Sequence, residues 1–164
     1  MQLRSHQLDS LVAMQQSDKG QIIVPTGGGK TMCMIEDAKY RFNNTRRTIV
    51  VVAPRILLAN QLSADFLEHI TNVNVLHVHS GETHHTSTTK PEEIKTFCIY
   101  PLHLHTIIFT TYHSLHRIQE ADIDVDTIYF DEAHNSVQRN FIEAVEYYSM
   151  YAKRSYFFTA TPKH

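Results

Sequence analysis

The chain has 164 residues, of which 42 % are hydrophobic and 20 % charged, and this composition fits one globular domain with a sizeable core. Its formal net charge of −2 excludes a global basic field, so any contact with nucleic acid has to be local. No apolar run reaches membrane-spanning length or resembles a secretory leader, which predicts a chain in the cytoplasm or nucleus without membrane contact.

Short apolar runs alternate along the chain with segments whose apolar residues recur at helical spacing. The runs predict strands at 21–24, 48–52, 73–78, 107–110, 127–130 and 156–158. The helical spacing predicts helices at 3–16, 30–42, 56–70, 92–100, 114–119 and 140–151. The run at 48–52 is apolar without alternation, which is typical of a strand covered on both faces. We therefore predict an α/β fold with a mostly parallel central sheet and helices on both faces.

Polar clusters follow the predicted strands. They lie at 25–31, 53–55, 110–112, 131–134 and 159–161. In a parallel sheet, ligands bind beyond the carboxyl ends of the strands, where all of these clusters would meet. The pattern therefore predicts one functional site at one edge of the sheet.

Residues 79–105 are the least regular part of the chain, and the turn formers between 81 and 91 predict an exposed loop. The histidines in and near it are His77, His79, His84 and His85, with His103 and His105 downstream. Their spacing lacks the thiol partners that usually complete a zinc site. We therefore predict that they are solvated and hold no metal.

Residues 22–31 follow the order of strand, glycine-rich turn and helix that a phosphate-binding loop requires. The glycines at 27–29 let backbone N–H groups approach a polyphosphate, and the helix that follows directs its positive end at the same phosphates. Lys30 would add a charge on the β- and γ-phosphates, and the Thr31 hydroxyl would ligate Mg²⁺. A glycine-rich turn followed by a chance Lys-Thr is the alternative.

A pair of adjacent carboxylates follows the predicted strand at 127–130. Hydrolysis of a nucleoside triphosphate needs one carboxylate near Mg²⁺ and one that orients the attacking water. Asp131 suits the first role and Glu132 the second, and adjacent residues at the end of a strand are expected to diverge. An acidic helix start is the alternative.

Six ordered motifs extend across the whole chain. They are Leu3-Arg4-x-x-Gln7, residues 25–31, Ala53-Pro54-Arg55, residues 110–115, Asp131-Glu132-Ala133-His134 and Thr159-Ala160-Thr161-Pro162. In this order they resemble the motifs of superfamily 2 helicases and translocases with a DEAH box, within the restriction-enzyme type III/XPB-like group. The resemblance implies that residues 1–164 form the first RecA-like, P-loop domain of such a motor. The chain departs from the pattern at Val24, where alanine or glycine is usual, and at Thr159, which replaces a commoner serine.

The resemblance implies a role for each matched residue, and Gln7 is the one expected to read adenine. The residues implied to bind nucleotide are Arg4, Gln7, Pro25, Thr26, Gly27, Gly28, Gly29, Lys30 and Thr31. Those implied in catalysis are Lys30, Asp131, Glu132 and His134, with Thr31 and Asp131 on Mg²⁺. Those implied to contact a nucleic-acid backbone are Pro54, Arg55, Thr110 and Thr111, and those implied to couple the two sites are Thr159, Ala160 and Thr161. For Arg4 and Arg55 an ordinary surface position is the alternative.

The implied activity is ATP-dependent movement along nucleic acid, with DNA favoured over RNA. Such motors contain a second RecA-like domain, absent from this chain and supplied in cis or in trans, whose arginine fingers raise the rate by ~10³–10⁵. We therefore expect residues 1–164 to be monomeric, to bind ATP and to turn it over slowly. Two alternatives stay open: a small-molecule kinase with a phosphate-binding loop, and a nucleotide-dependent binding module without unwinding activity.

Overall fold

A computed structural model describes residues 5–24, 29–43, 46–99, 104–134 and 141–160. The strands are β1 (Lys19–Val24), β2 (Thr48–Ala53), β3 (Val73–Val78), β4 (Thr86–Ser87), β5 (His105–Thr111), β6 (Thr127–Phe130) and β7 (Arg154–Ala160). The helices are α1 (Ser5–Gln16), α2 (Lys30–Arg41), α3 (Ile56–His69), α4 (Pro91–Ile99), α5 (Leu115–Ala121) and α6 (Ile142–Tyr151). Among the residues that the structure describes, every predicted element is present with small shifts of its ends, and the two-residue strand β4 is the one strand that was not predicted. None of the described helices is long and apolar enough to cross a bilayer.

All strands pair in parallel, in the order β1-β7-β6-β2-β5-β3-β4. The central strand β2 is buried from its second residue to its last, as expected for an apolar run with helices on both sides. The predicted α/β fold with a parallel sheet is confirmed.

The core has two layers, one on each face of the sheet. The first layer packs α1, α2 and α3 on the sheet and includes Met14, Met34, Ile35, Phe66 and Phe109. The second packs α4, α5 and α6 on the opposite face and includes Ile94, Ile118, Phe130, Val145 and Tyr148. With both faces covered, the ends of the strands are the regions where polar groups meet.

A buried polar network ties α1 and α2 to the sheet. Arg41 forms an ion pair of 3.3 Å with Asp37, one turn earlier on α2. Its guanidinium also donates to the Met14 carbonyl at the end of α1 and to the Tyr156 hydroxyl, both at 2.9 Å. Burial raises the pKa of Asp37, although the Tyr129 hydroxyl, 2.5 Å away, and Arg41 favour its carboxylate. This network fixes α1 beside α2.

Two of the histidines predicted to be solvated, His77 and His79, are buried in the structure. His77 lies in β3 with no exposed surface, and His79 is 3 % exposed. The Gly81 N–H donates to Nδ1 of His79, the two imidazoles share a 3.1 Å hydrogen bond, and Nε2 of His77 lies 3.0 Å from the Ser63 hydroxyl. Burial lowers the pKa of His77 to about 3 and also lowers that of His79. The prediction that these two histidines are solvated is therefore wrong, because paired ring nitrogens allow neutral imidazoles to be buried.

The other histidines of this group divide between surface and interior. His84 is exposed as predicted, whereas His85 is half-buried and stacks on His77. His105 is also half-buried, since it stacks on Phe42, and its solvation is a wrong prediction too. His103 lies outside the described residues.

Candidate functional site

Five strands bring the predicted motifs to one edge of the sheet. In the register, Val24 of β1 pairs with Ala160 of β7, and Ala53 of β2 pairs with Thr111 of β5. Strand β6, which leads into Asp131, lies between β7 and β2. Strand β7, which carries Thr159 and Ala160 of the last motif, therefore lies between β1, which precedes the predicted phosphate loop, and β6, which precedes the two carboxylates. The order of the motifs along the chain does not reveal this neighbourhood.

Lys30 and the two adjacent carboxylates form the centre of this edge. Lys30 is the first residue of α2, and its ammonium lies 3.0 Å from Oδ1 of Asp131. It also contacts Oε1 of Glu132. Partial burial disfavours its charge, but the hydrogen bond from Lys30 to Glu132 and the nearby Asp131 outweigh this and raise the pKa of Lys30. We expected the two carboxylates to diverge, but they converge on one ammonium, because its charge attracts both.

Asp131 is the buried member of this group. The residue is 4 % exposed, and burial raises the pKa of its carboxyl although Lys30 partly offsets the effect. Apart from the ion pair with Lys30, its buried Oδ1 has no hydrogen-bond partner. A buried carboxylate oxygen with so few donors is available to a cationic ligand.

Glu132 has a left-handed backbone, with φ of 50°. A side chain rarely adopts this conformation, which costs of order 1–3 kcal/mol and concentrates at functional sites. His134 follows at the surface, with Nδ1 3.8 Å from Oε2 of Glu132. The two carboxylates thus lie on a tight, strained turn directly after β6.

Gln7 on α1 reaches the start of α2. Its amide nitrogen donates to the Gly29 carbonyl at 3.2 Å. Gly29 has φ of 78°, and a Cβ built there would lie 1.9 Å from the Gln7 amide nitrogen. The position therefore requires glycine for both backbone conformation and space. The predicted adenine-reading residue and the last glycine of the phosphate loop are direct neighbours.

Several predicted residues lie outside what the structure describes. They are Arg4, Pro25, Thr26, Gly27, Gly28 and Thr161. Thr31 is described as half-buried in the first turn of α2, next to Lys30, and Thr159 as half-buried in β7. The backbone of Ala160 ends β7. The roles of all these residues stay predictions.

The predicted nucleic-acid segments follow β2 and β5. Pro54 is half-buried, and Arg55 is exposed at the residue before α3. Thr110 is fully buried, and its hydroxyl donates to the Val78 carbonyl at 2.7 Å. Thr111 is also buried. Arg55 is thus the most exposed of the four, and their contact with nucleic acid stays a prediction.

Tyr112 belongs to this site, although the sequence assigned it no role. Its buried hydroxyl donates to the Asp131 carbonyl at 2.7 Å. Tyr112 lies within the motif at residues 110–115, but the hydrophobic periodicity of the sequence predicts only that such a tyrosine belongs to the core. Only the strand order places it beside the carboxylate turn.

The described residues contain no group of three or more His, Cys, Asp or Glu side chains arranged to hold a metal ion by themselves. At the carboxyl edge of the sheet, the ammonium of Lys30 instead lies between the two carboxylates, directly after Gly29, which caps the start of α2. This arrangement can hold a polyphosphate together with an ion that the phosphate helps to ligate.

Comparisons with known proteins agree with this geometry. The ATP-dependent helicase SGS1 of Saccharomyces cerevisiae is 33 % identical over 72 residues, which are 44 % of this chain and 5 % of that protein. A nuclease-deletion mutant of the type ISP restriction-modification enzyme LlaGI, solved with a DNA substrate mimic, is 23 % identical with a TM-score of 0.82. The match covers 100 % of this chain and 18 % of the LlaGI chain.

The Hef helicase domain of Pyrococcus furiosus is also similar, with a TM-score of 0.71 and 23 % identity over 98 % of this chain and 32 % of its own. This chain therefore spans a minor part of each of these proteins. The structural likeness confirms the RecA-like fold. The profile of the family described as type III restriction enzyme, res subunit, matches residues 1–164. The chain therefore belongs to the family of the type III restriction enzyme res subunit, as the resemblance of its motifs to this group of superfamily 2 helicases implied.

Proposed function

We propose that this chain is the ATP-binding motor domain of a helicase or translocase that hydrolyses ATP with Mg²⁺ in order to move along or remodel DNA. The observation that carries the proposal is the convergence of Lys30, Asp131 and Glu132 beside the Gln7–Gly29 contact. Family membership and the helicases among the similar proteins support it.

The residues present fit a magnesium ion. The buried Oδ1 of Asp131 has no hydrogen bond to satisfy it, and a carboxylate with a hydroxyl, here from Thr31, is the kind of oxygen donor set that Mg²⁺ accepts together with phosphate and water. When bound, Mg²⁺ would neutralise charge that develops on the β- and γ-phosphates. Asp131, directly or through water, and Thr31 would hold it.

The protein side chains account for the remaining chemistry. Lys30, released from its carboxylate contacts, would place its charge on the phosphates. Glu132 would then orient the attacking water and accept its proton. Gln7, held at Gly29, would present its amide to the adenine base.

The wider proposal concerns partners. The similar enzyme LlaGI was solved with a DNA substrate mimic, which supports DNA as the track. We propose that Pro54 and Arg55, with the turn that follows Thr110 and Thr111, face its sugar-phosphate backbone, and that a second RecA-like domain in cis or in trans completes the ATPase. Residues 1–164 would by themselves be a monomer that hydrolyses ATP slowly, in a protein of the cytoplasm or nucleus.

The test is calorimetric titration of the chain with MgATP and MgGTP. Lys30→Ala should weaken MgATP binding by about tenfold or more, because a charge-assisted contact contributes roughly 1.5–3 kcal/mol. Gln7→Ala should weaken ATP binding and reduce the preference over GTP. Lys39→Ala, at an exposed lysine of the same helix, and Gln15→Ala, at an exposed glutamine of α1, are matched controls that should bind as the wild type does.

Two results would overturn the proposal. One is the absence of nucleotide binding, and the other is GTP binding equal to ATP with no effect of Gln7→Ala. Phosphate transfer from ATP to an added small acceptor would point to a kinase instead. Tight binding with no hydrolysis, even with DNA and the second domain present, would point to a binding module.

A further inference from the structure

Tyr112 connects two of the segments at the carboxyl edge of the sheet. Its backbone N–H donates to the Ala53 carbonyl of β2 at 3.2 Å, and its hydroxyl donates to the Asp131 carbonyl at 2.7 Å. Since the strand order is β6-β2-β5, this side chain extends from the end of β5 across the end of β2 to the turn after β6. It is the residue that follows Thr111, in the segment predicted to contact DNA.

The Asp131 carbonyl that accepts this hydrogen bond directly precedes Glu132, the residue with the strained backbone conformation. The carbonyl of Asp131 and the amide nitrogen of Glu132 belong to one planar peptide unit. A hydrogen bond that orients this carbonyl therefore restrains φ of Glu132, which is left-handed at 50°. Because a side chain disfavours this conformation, surrounding contacts must maintain it.

The ring of Tyr112 is held as firmly as its hydroxyl. The residue is 2 % exposed, and its ring stacks on Phe130 at 6.2 Å and on Phe141 at 6.1 Å. Burial raises the pKa of Tyr112, so its hydroxyl remains a donor at neutral pH. With ring and hydroxyl both fixed, a displacement of the turn at 112–114 has to move the Asp131 carbonyl or break its bond.

We propose that Tyr112 is a positioning residue through which the DNA-facing segment after β5 controls the carboxylate turn of the ATP site. This rests on the proposed function and deepens it. DNA contact at the turn that begins with Tyr112 shifts its hydroxyl, and the hydroxyl reorients the Asp131–Glu132 peptide. ATP and DNA then affect each other's binding through this hydrogen bond, and the coupling is reciprocal.

The experiment measures that coupling in the full chain. MgATP is titrated with and without saturating duplex DNA in order to measure its affinity under both conditions. The affinity for DNA is measured by fluorescence anisotropy of a labelled oligonucleotide, single-stranded or duplex. In the wild type we expect DNA to change the MgATP affinity by about fivefold or more. Tyr112→Phe keeps the ring and removes only the hydroxyl, and it should reduce this factor to less than about twofold. The separate affinities for DNA and MgATP should change far less.

Tyr129→Phe is the matched control. It also removes one buried tyrosine hydroxyl with a hydrogen bond, to Asp37, and it lies on β6 itself. A loss of coupling that came from general destabilisation would appear in both variants. We expect Tyr129→Phe to keep the wild-type coupling factor.

The outcomes separate this proposal from the one on which it rests. If the wild type binds MgATP and DNA but Tyr112→Phe couples them as strongly, the role of Tyr112 is refuted and the ATPase assignment stands. The same holds if the wild type shows no coupling or no DNA binding, or if both variants lose coupling equally. If the wild type fails to bind MgATP, the proposed function fails, and this inference fails with it.

Discussion

Asp126 and Asp131 flank the same four-residue strand, β6, and differ in how many donors surround them. Both side chains are 6 % exposed. Asp126 accepts from Arg154 at 3.2 Å with both oxygens, from Thr127 at 2.8 Å, and from Arg47.

In Asp131, by contrast, the buried Oδ1 has the Lys30 ion pair at 3.0 Å and no further hydrogen-bond partner. Two guanidinium groups and a hydroxyl satisfy the first carboxylate, so it has little capacity left for a ligand. The second is held by the Glu132 backbone N–H and by one ammonium that a polyphosphate can draw away. Residue type and burial therefore do not distinguish these two aspartates, whereas the number and charge of the donors around each of them do.

The largest effect that would test this contrast is on stability. Asp126→Ala leaves Arg47 and Arg154 without their shared partner, and should lower the free energy of unfolding by roughly 3 kcal/mol. Urea unfolding followed by circular dichroism measures this. Asp124→Ala, at an exposed neighbouring position, is the control and should change it by less than about 0.5 kcal/mol. An equally small change in Asp126→Ala would contradict the structural role.

His77 and His79 extend the comparison, because these two side chains are buried as neutral groups, unlike the two aspartates. His77 has a pKa of about 3 when folded and 6.5 as its reference value, so the unfolded chain binds more protons below pH 6.5. Stability should therefore fall as pH falls from 6.5 towards 3, and by about 2 kcal/mol at pH 5 from this histidine alone. Above pH 6.5 it contributes no pH dependence.

Denaturant unfolding at about pH 7.5 and about pH 5 measures this dependence. His77→Gln keeps an amide that can bond to Ser63 and should flatten the curve, whatever its effect on absolute stability. His69→Gln, on the exposed side of α3, should follow the wild-type curve. A His77→Gln curve parallel to the wild type would show that His77 is not buried as a neutral group.

The smallest of the three changes in stability is expected for a substitution of Asp131. Asp131→Asn removes a buried negative charge. Because burial already disfavours this charge and raises the pKa of the carboxyl, the free energy of unfolding should change by less than about 1 kcal/mol. MgATP affinity should nevertheless fall about tenfold or more, since the variant lacks a charged ligand for the ion. Calorimetry and urea unfolding together measure this pair of values. A variant that loses stability as Asp126→Ala does, yet binds MgATP normally, would reverse the assignment of the two aspartates.

The fold and the charged centre of the candidate site were readable from local patterns. The bounds of β3 and β6 were predicted to the residue, because apolar runs between turn formers have few alternatives. Lys30, Asp131 and Glu132 were identified because their motifs are contiguous, and the structure brings them together. By contrast, the two-residue strand β4 has no periodicity of its own and was missed.

The burial of His77 and His79 could not be predicted in the same way. Their ring nitrogens are satisfied by each other, by Ser63 on α3 and by Gly81, and no local rule anticipates such a chain of partners. A histidine-rich stretch with turn formers predicts a solvated loop on composition alone.

The sequence by itself determined the alternation of strands and helices, the parallel sheet and the polar clusters at one edge of it, because periodicity and motif spacing are local properties. Only the tertiary structure decided which polar groups are satisfied. Arg47 lies 79 residues from Asp126 in the chain, and Tyr112 lies 19 residues from Asp131. Such partners meet through the strand order, which is set by packing of both faces of the sheet, and so the difference between a saturated and an available carboxylate arises only when the chain has folded.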